Sequence, residues 1–195
     1  MATTYLRKKL KKMSTHYEDY RNIALKPFAE KLQSEYYESL ETLCANSKKQ
    51  CDKMKNLEKS ASSLQYVLSC EQIISEIEEH IKNRKTIYIP YIHTLVEKVN
   101  DNHNCSTCTG KCKINHDMHI MDLTATNQAM SRVLHKLQMV MLPLYSDTMY
   151  PDEYRVLRLN MTLLETSLTE LFFVENNYLI PKIADAQNNI NAGSN

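Results

Sequence analysis

Only two glycines, Gly110 and Gly193, occur in 195 residues, beside five prolines. Hairpins and sheets lean on glycine wherever a turn needs a positive φ, so a chain this poor in it has few ways to build them. Helices have no such need, and the apolar residues are spaced accordingly, in four segments with steps of three and four. The first is read from about Ser14 to Cys44 on Met13, Tyr17, Tyr20, Ala24, Phe28, Leu32, Tyr36 and Leu43, with a kink expected at Pro27. The second runs from about Asp52 to Val99 on Val67, Ile74, Ile77, Ile81, Tyr88, Leu95 and Val99, and Pro90 is expected to break or bend it. The third runs from about Asn115 to Tyr145 on Leu123, Met130, Val133, Leu137, Val140 and Leu144. The fourth runs from about Asp152 to Ala186 on Leu157, Met161, Leu164, Leu168, Leu171, Glu175 and Leu179, opened by Pro151 and the acids Asp152 and Glu153. Four long amphipathic helices with short connections predict an all-α chain, an up-down-up-down four-helix bundle. One domain is expected over 1–188, with a polar, frayed tail at 189–195.

Composition narrows the function classes. The net charge is +1, which makes no case for nucleic acid, and the run Arg7-Lys8-Lys9 with Lys11-Lys12 reads as a solvated helix start. No apolar block follows that basic run, and no apolar run is long enough for a bilayer, so neither export nor membrane insertion is expected. Six cysteines without an export signal read as thiols or metal ligands in a reducing cytoplasm. There is no phosphate loop, no dinucleotide glycine pattern and no nucleophile elbow, and no catalytic residue stands out.

Two stretches 91 residues apart end alike, Tyr88-Ile89-Pro90-Tyr91-Ile92 and Leu179-Ile180-Pro181-Lys182-Ile183. Ten residues before the first proline lies His80, matched in the other copy by Leu171; six before the second lies Glu175, matched by Arg84. The pattern is an internal two-fold pseudo-repeat. Glu175 falls on the apolar stripe between Leu171 and Leu179. A carboxylate there needs a metal, a base or water as partner, because burying it alone is costly.

Tyr154-Arg155, then Leu157 and Leu168, then Val174-Glu175-Asn176-Asn177-Tyr178-Leu179-Ile180-Pro181-Lys182 resemble the last helix of hemerythrin-like proteins. Within that family the resemblance is closest to the di-iron proteins of iron–sulfur cluster repair, whose last helix reads Tyr-Arg, a leucine ladder and His-x-x-x-Glu-Asn-Asn-x-Leu-Phe-Pro. The second helix resembles their His-x-x-x-Glu-Glu-x-x-Leu-Phe-Pro. The likeness spans the chain as architecture and is specific only in the fourth helix. It implies a hemerythrin-like fold and a di-iron centre. Each half would give one histidine from its first helix and a His-x-x-x-Glu pair from its second, since residues four apart share a helix face. It also implies a redox or nitrosative-stress role, with oxygen or nitric oxide binding or iron exchange with damaged clusters. Homodimerisation and a partner protein carrying an iron–sulfur cluster would accompany that role.

Carried over residue by residue, the pattern is incomplete. Glu175 keeps the glutamate position while Leu171 replaces its histidine; His80 keeps the other histidine while Arg84 replaces its glutamate. His16 corresponds to the first-helix histidine of the first half. In the second half a gap-free alignment places Asn127 at the histidine, and His119 reaches that position only through a gap. Three outcomes stay open: two irons, a single metal held by Glu175, His80, His16 or His119, or a dry core in which Arg84 or another base neutralises Glu175.

A second constellation lies between the halves. Residues His103 to His119 read H-x-C-x2-C-x3-C-x3-H-x2-H. Cys105 and Cys108 can form a knuckle with Gly110 at the turn, while Cys112 and His116, four apart, share a face at the start of the third helix. The set suits a zinc tetrahedron, a cluster with three cysteine ligands, reduced thiols or a redox disulfide. Cys44 and Cys51 are expected near the opposite end. Two functions follow. One is a metal- or redox-responsive relative of the repair proteins with an altered centre. The other is a non-enzymatic interaction or sensor protein whose switch is the Cys/His segment.

Overall fold

The computed structural model describes residues 19–57, 61–103, 111–141 and 152–192, without the side chains of 61–63, 111–117, 137–138, 140–141, 152 and 191–192. The described chain is helical, and it contains no strand. Residues 19–22 are helical, and α1 then covers 25–57 as Leu25–Leu32, a π-helical turn Gln33–Tyr37, and Glu38–Leu57. α2 covers 61–100 as Ala61–Asn83, a π turn Arg84–Tyr88, and Ile89–Asn100. α3 is Lys111–Met141, and α4 covers 152–192 as Asp152–Val174, a π turn Glu175–Leu179, and Ile180–Ala192. Each helix packs on the next, and α4 packs back on α1.

The boundary between the first two helices differs from the expectation. α1 does not stop near Cys44 but runs on to Leu57, and α2 starts at Ala61. The polar run Asn46-Ser47-Lys48-Lys49-Gln50 falls between the two expected segments, yet its inward members are satisfied inside the fold. Ser47 Oγ donates to the Leu43 carbonyl at 2.7 Å, and Gln50 Nε2 donates to the Glu153 carbonyl at 2.9 Å. With them the buried positions of α1 form an unbroken heptad stripe: Tyr37, Leu40, Cys44, Ser47, Cys51, Met54. α2 answers with Val67, Cys70, Ile74, Ile77, Ile81, Arg84, Tyr88.

Flanking ion pairs fix the register of these two stripes. Glu41 meets Lys85 at 2.9 Å, Lys48 meets Glu78, and Lys55 meets Glu71 at 2.5 Å. Seven residues forward on α1 correspond to seven backward on α2, so the two helices are antiparallel. Each pair is partly exposed and contributes only about 0.2–1 kcal/mol; its larger effect is to disfavour other registers. α3 runs antiparallel to α2, as Glu76–Lys136, Arg84–Thr126 and Tyr91–His119 are successive contacts. α2 and α4 instead run the same way, through His80–Phe172, Arg84–Glu175 and Tyr91–Gln187.

Neither internal proline breaks its helix. Proline has no N–H to donate, and its ring crowds the carbonyl four residues back. In both copies the turn before it widens. Ile89 N–H bonds to the Arg84 carbonyl and Ile180 N–H to the Glu175 carbonyl, five residues back. Pro27 also makes no kink. It lies in the first turn of α1, where the N–H has no intrahelical acceptor, after an extended Ala24. α2 ends by a Schellman motif. Asn102 takes a positive φ of 50°, its N–H reaches the Val99 carbonyl, and His103 N–H reaches the Lys98 carbonyl at 2.9 Å. Among the described residues no helix is long and apolar enough to cross a membrane.

The tail is likewise shorter than expected. α4 runs to Ala192, and Ile190, 1 % exposed, continues the stripe of Ile183 and Gln187 into the core. Ile190→Ala should therefore cost about 2–4 kcal/mol in urea unfolding; a change near zero would put the residue in a frayed tail.

Candidate functional site

All four helices meet around Arg84 and Glu175, both 0 % exposed. The two residues are equivalents in the two copies of the repeat, and each is the first residue of its π turn. Arg84 Nε donates to Glu175 Oε1 at 3.1 Å and Nη2 to Oε2 at 3.4 Å. From α3, Thr126 Oγ1 accepts from Nη1 at 3.0 Å and Asn127 Oδ1 from Nη2 at 2.5 Å. From α1, Tyr37, the last residue of the third π turn, donates its hydroxyl to Glu175 Oε1 at 2.9 Å. Asn127 Nδ2 donates in turn to Asn176 Oδ1 at 3.0 Å. The guanidinium also lies over the Tyr88 ring, 4.7 Å from its centroid. The Tyr88 hydroxyl donates to the Asp122 carboxylate, which carries the network to the surface.

This geometry suits an ion pair. Both carboxylate oxygens and all three guanidinium nitrogens have partners, which is the condition under which a buried charge pair is tolerated. Burial, and then the charge of Glu175, hold the Tyr37 hydroxyl well above its ordinary pKa, so it remains a donor. The arrangement locks four helices at one level. It offers no open coordination position and no activated nucleophile. Elsewhere, burial pushes the thiols of Cys44, Cys51 and Cys70 up to about 12, so these free cysteines stay protonated and inert.

Of the other candidates, the described ones, His80 and His119, do not join this centre. His80 lies one helical turn before Arg84, 5 % exposed, with its ring edge-on to Phe172 at 5.6 Å. Its Nε2 has no hydrogen-bond partner among the described residues. Burial, reinforced by the Arg84 charge, pushes its pKa down to about 3. His119 stacks on Tyr91, centroids 4.1 Å apart, and lies edge-on to Tyr88. That is about 12 Å along α3 from Asn127. His16, Cys105 and Cys108, and the side chains of Cys112 and His116, lie outside the described residues. Tyr37, Thr126 and Asn176 were not foreseen. The repeat offered a signal for the first, because stepping back 91 residues from Asn127 lands on Tyr36, its neighbour.

The hemerythrin-like resemblance implies two irons at this level, and the residues present do not fit them. Around Glu175 stand a guanidinium, a phenol, a hydroxyl and two amides. The carboxylate is engaged by Arg84 and Tyr37, and the fixed positive charge of Arg84 occupies the position of the second carboxylate, where it would repel a dication. No group of three His, Cys, Asp or Glu side chains able to hold a metal is present among the described residues. Set against known families, curated proteins and solved structures, the chain finds no match in any of the three. The resemblance thus rests on its own residues in α2 and α4.

Two outcomes follow from the centre. Glu175→Leu or Arg84→Met alone should lower unfolding stability by about 3–5 kcal/mol, because each leaves an unpaired buried charge. The double variant Arg84→Met/Glu175→Leu should recover at least half of that loss. Losses that simply add in urea melts would refute a direct pair. The second outcome concerns pH. The folded state keeps His80 neutral down to about pH 3, whereas the unfolded chain takes up a proton below about pH 6.5. Unfolding therefore becomes easier as pH falls through that window, by up to roughly 1.4 kcal/mol per pH unit from this one group. His80→Leu should flatten the dependence between pH 6.5 and 4, and an unchanged slope would count against a neutral buried imidazole.

Proposed function

We propose that the chain is an up-down-up-down four-helix bundle of hemerythrin-like type whose central metal site has been replaced by a structural ion pair. In this reading it is a non-enzymatic sensor or interaction protein of the reducing cytoplasm. The observation that carries the reading is the Arg84–Glu175 pair, 3.1 Å apart and fully buried, on equivalent positions of the repeat. Where the resemblance would have two carboxylates share cations, one carboxylate faces a fixed cation. The antiparallel register of α1 with α2 and of α2 with α3, and the like direction of α2 and α4, support the topology.

Metal or redox response then falls to Cys105, Cys108, Cys112 and His116. That segment follows the Asn102 turn closing α2 and leads into α3. A zinc held there by three thiolates and an imidazole would couple the thiols' oxidation state to the join between the two halves. Oxidants would release the metal without touching the core.

Metal analysis of anaerobically purified full-length protein tests this. The expected content is one zinc per chain, lost in Cys108→Ser and retained in Glu175→Ala. Two irons per chain that disappear in Glu175→Ala would return the active centre to the core. Protein that takes up no metal on reconstitution would remove the proposed switch.

A further inference from the structure

We infer that residues 5–18 of this chain cover the outer groove between α1 and α4, docking there as an amphipathic helix antiparallel to α1. On the α4 side the groove is bordered by one line of residues seven apart, Val156, Leu163 and Glu170. At one end Val156 shares an open pocket with Gln50 and Leu57 of α1. At the other, Glu170 accepts from the Tyr36 hydroxyl of α1 at 3.2 Å. Val156, Leu163 and the adjacent Leu159 stand 46, 43 and 58 % exposed, and Leu57 across the groove 61 %. Single exposed leucines are ordinary on a protein surface, but an apolar line along a groove calls for a cover.

The chain itself enters this groove. Ala24 is extended and breaks the helix, and the residues before it fold back along α1. Tyr20, 0 % exposed, packs on Phe28 and Tyr178, and its hydroxyl lies 3.3 Å from that of Tyr36. A straight backward extension of α1 would hold Tyr20 about 24 Å from Tyr36. The Arg21 carbonyl accepts from Lys182 at 2.9 Å, so the step from Arg21 to Tyr20 descends α4 from Lys182 to Tyr178, towards Leu163. The described chain begins one residue earlier, at Asp19. The sequence beyond it carries a matching stripe. Leu6, Leu10, Met13, Tyr17 and Tyr20 follow at steps of four and three, on one helix face. Lys8, Lys11 and Lys12 fall on the opposite face, towards water. Fourteen residues separate Leu6 from Tyr20 and fourteen separate Val156 from Glu170, about 21 Å in either helix. The stripe is therefore long enough to run from Tyr36 to the pocket at Leu57. None of this depends on the reading of the Arg84–Glu175 centre or of the cysteine segment.

The chain has no tryptophan, so Leu10→Trp gives the full-length protein a sole fluorophore on the stripe, and Lys8→Trp one on the opposite face. Acrylamide should quench Leu10→Trp several-fold less than Lys8→Trp, in dilute and concentrated protein alike. Adding Leu159→Glu/Leu163→Glu should raise the quenching of Leu10→Trp to the Lys8→Trp level with helical circular dichroism unchanged; Leu163→Gln serves if the double charge disturbs α4. Equal quenching at the two positions overturns the inference. So does protection that survives loss of both leucines, which places the segment elsewhere. Protection seen only in concentrated protein, or only with anionic lipid vesicles, overturns it too, since a second copy or a membrane surface would then be the segment's partner.

Discussion

The buried contact between Arg84 and Glu175 is the constraint on which the rest of this structure turns. An arginine with no exposed surface must have its donors occupied, and here the acceptors come from α3 and α4 while a donor to the same carboxylate comes from α1. Sliding α2 against α4 would strand both charges, and moving α1 or α3 would strip a donor or acceptors from the pair. The surrounding stripe of leucine, isoleucine and tyrosine supplies most of the driving force for collapse, but apolar packing tolerates more than one register. The polar centre admits one. The same division operates between α1 and α2, where Cys44, Cys51, Cys70 and Ile74 provide burial and the Glu41–Lys85, Lys48–Glu78 and Lys55–Glu71 pairs select the alignment.

The three π turns belong to the same constraint. Each inserts an extra residue at the level of the centre, and their terminal residues are Arg84, Glu175 and Tyr37. In α2 and α4 the widened turn also lets a proline sit inside a continuous helix. α1 has a π turn with no proline near it, and we have no physical account of its cause beyond the position it gives Tyr37.

Much of this centre could be read from residue order. Glu175 betrayed itself as an acid on a leucine ladder, and Arg84 as its counterpart in the repeat. Asn127 was located by carrying the family pattern back from the fourth helix without a gap. What stayed hidden had physical reasons. Tyr37 was passed over because the stripe ran through its neighbour Tyr36, and nothing local shows that the Tyr37 hydroxyl would cross to α4. The length of α1 was misjudged because Ser47 and Gln50 are polar by type but inward by position, their bonds made to carbonyls that the sequence does not display. The end of α4 was misjudged for the opposite reason, since one isoleucine among asparagines is a faint signal until the stripe it extends is known. His80 and His119, attractive as ligands by residue type, have their rings against Phe172 and Tyr91.

The central claim is that a guanidinium, and not a metal, neutralises Glu175. Nitrogen-15 NMR of the full-length protein tests it most directly, through the Nε–H of Arg84, assigned by its loss in Arg84→Met. A single Arg84 Nε–H resonance is expected, protected from solvent exchange and left sharp and unshifted when ferrous iron is added under anaerobic conditions. A resonance that exchanges freely, or that broadens and moves with added iron while the fold stays intact, would contradict it.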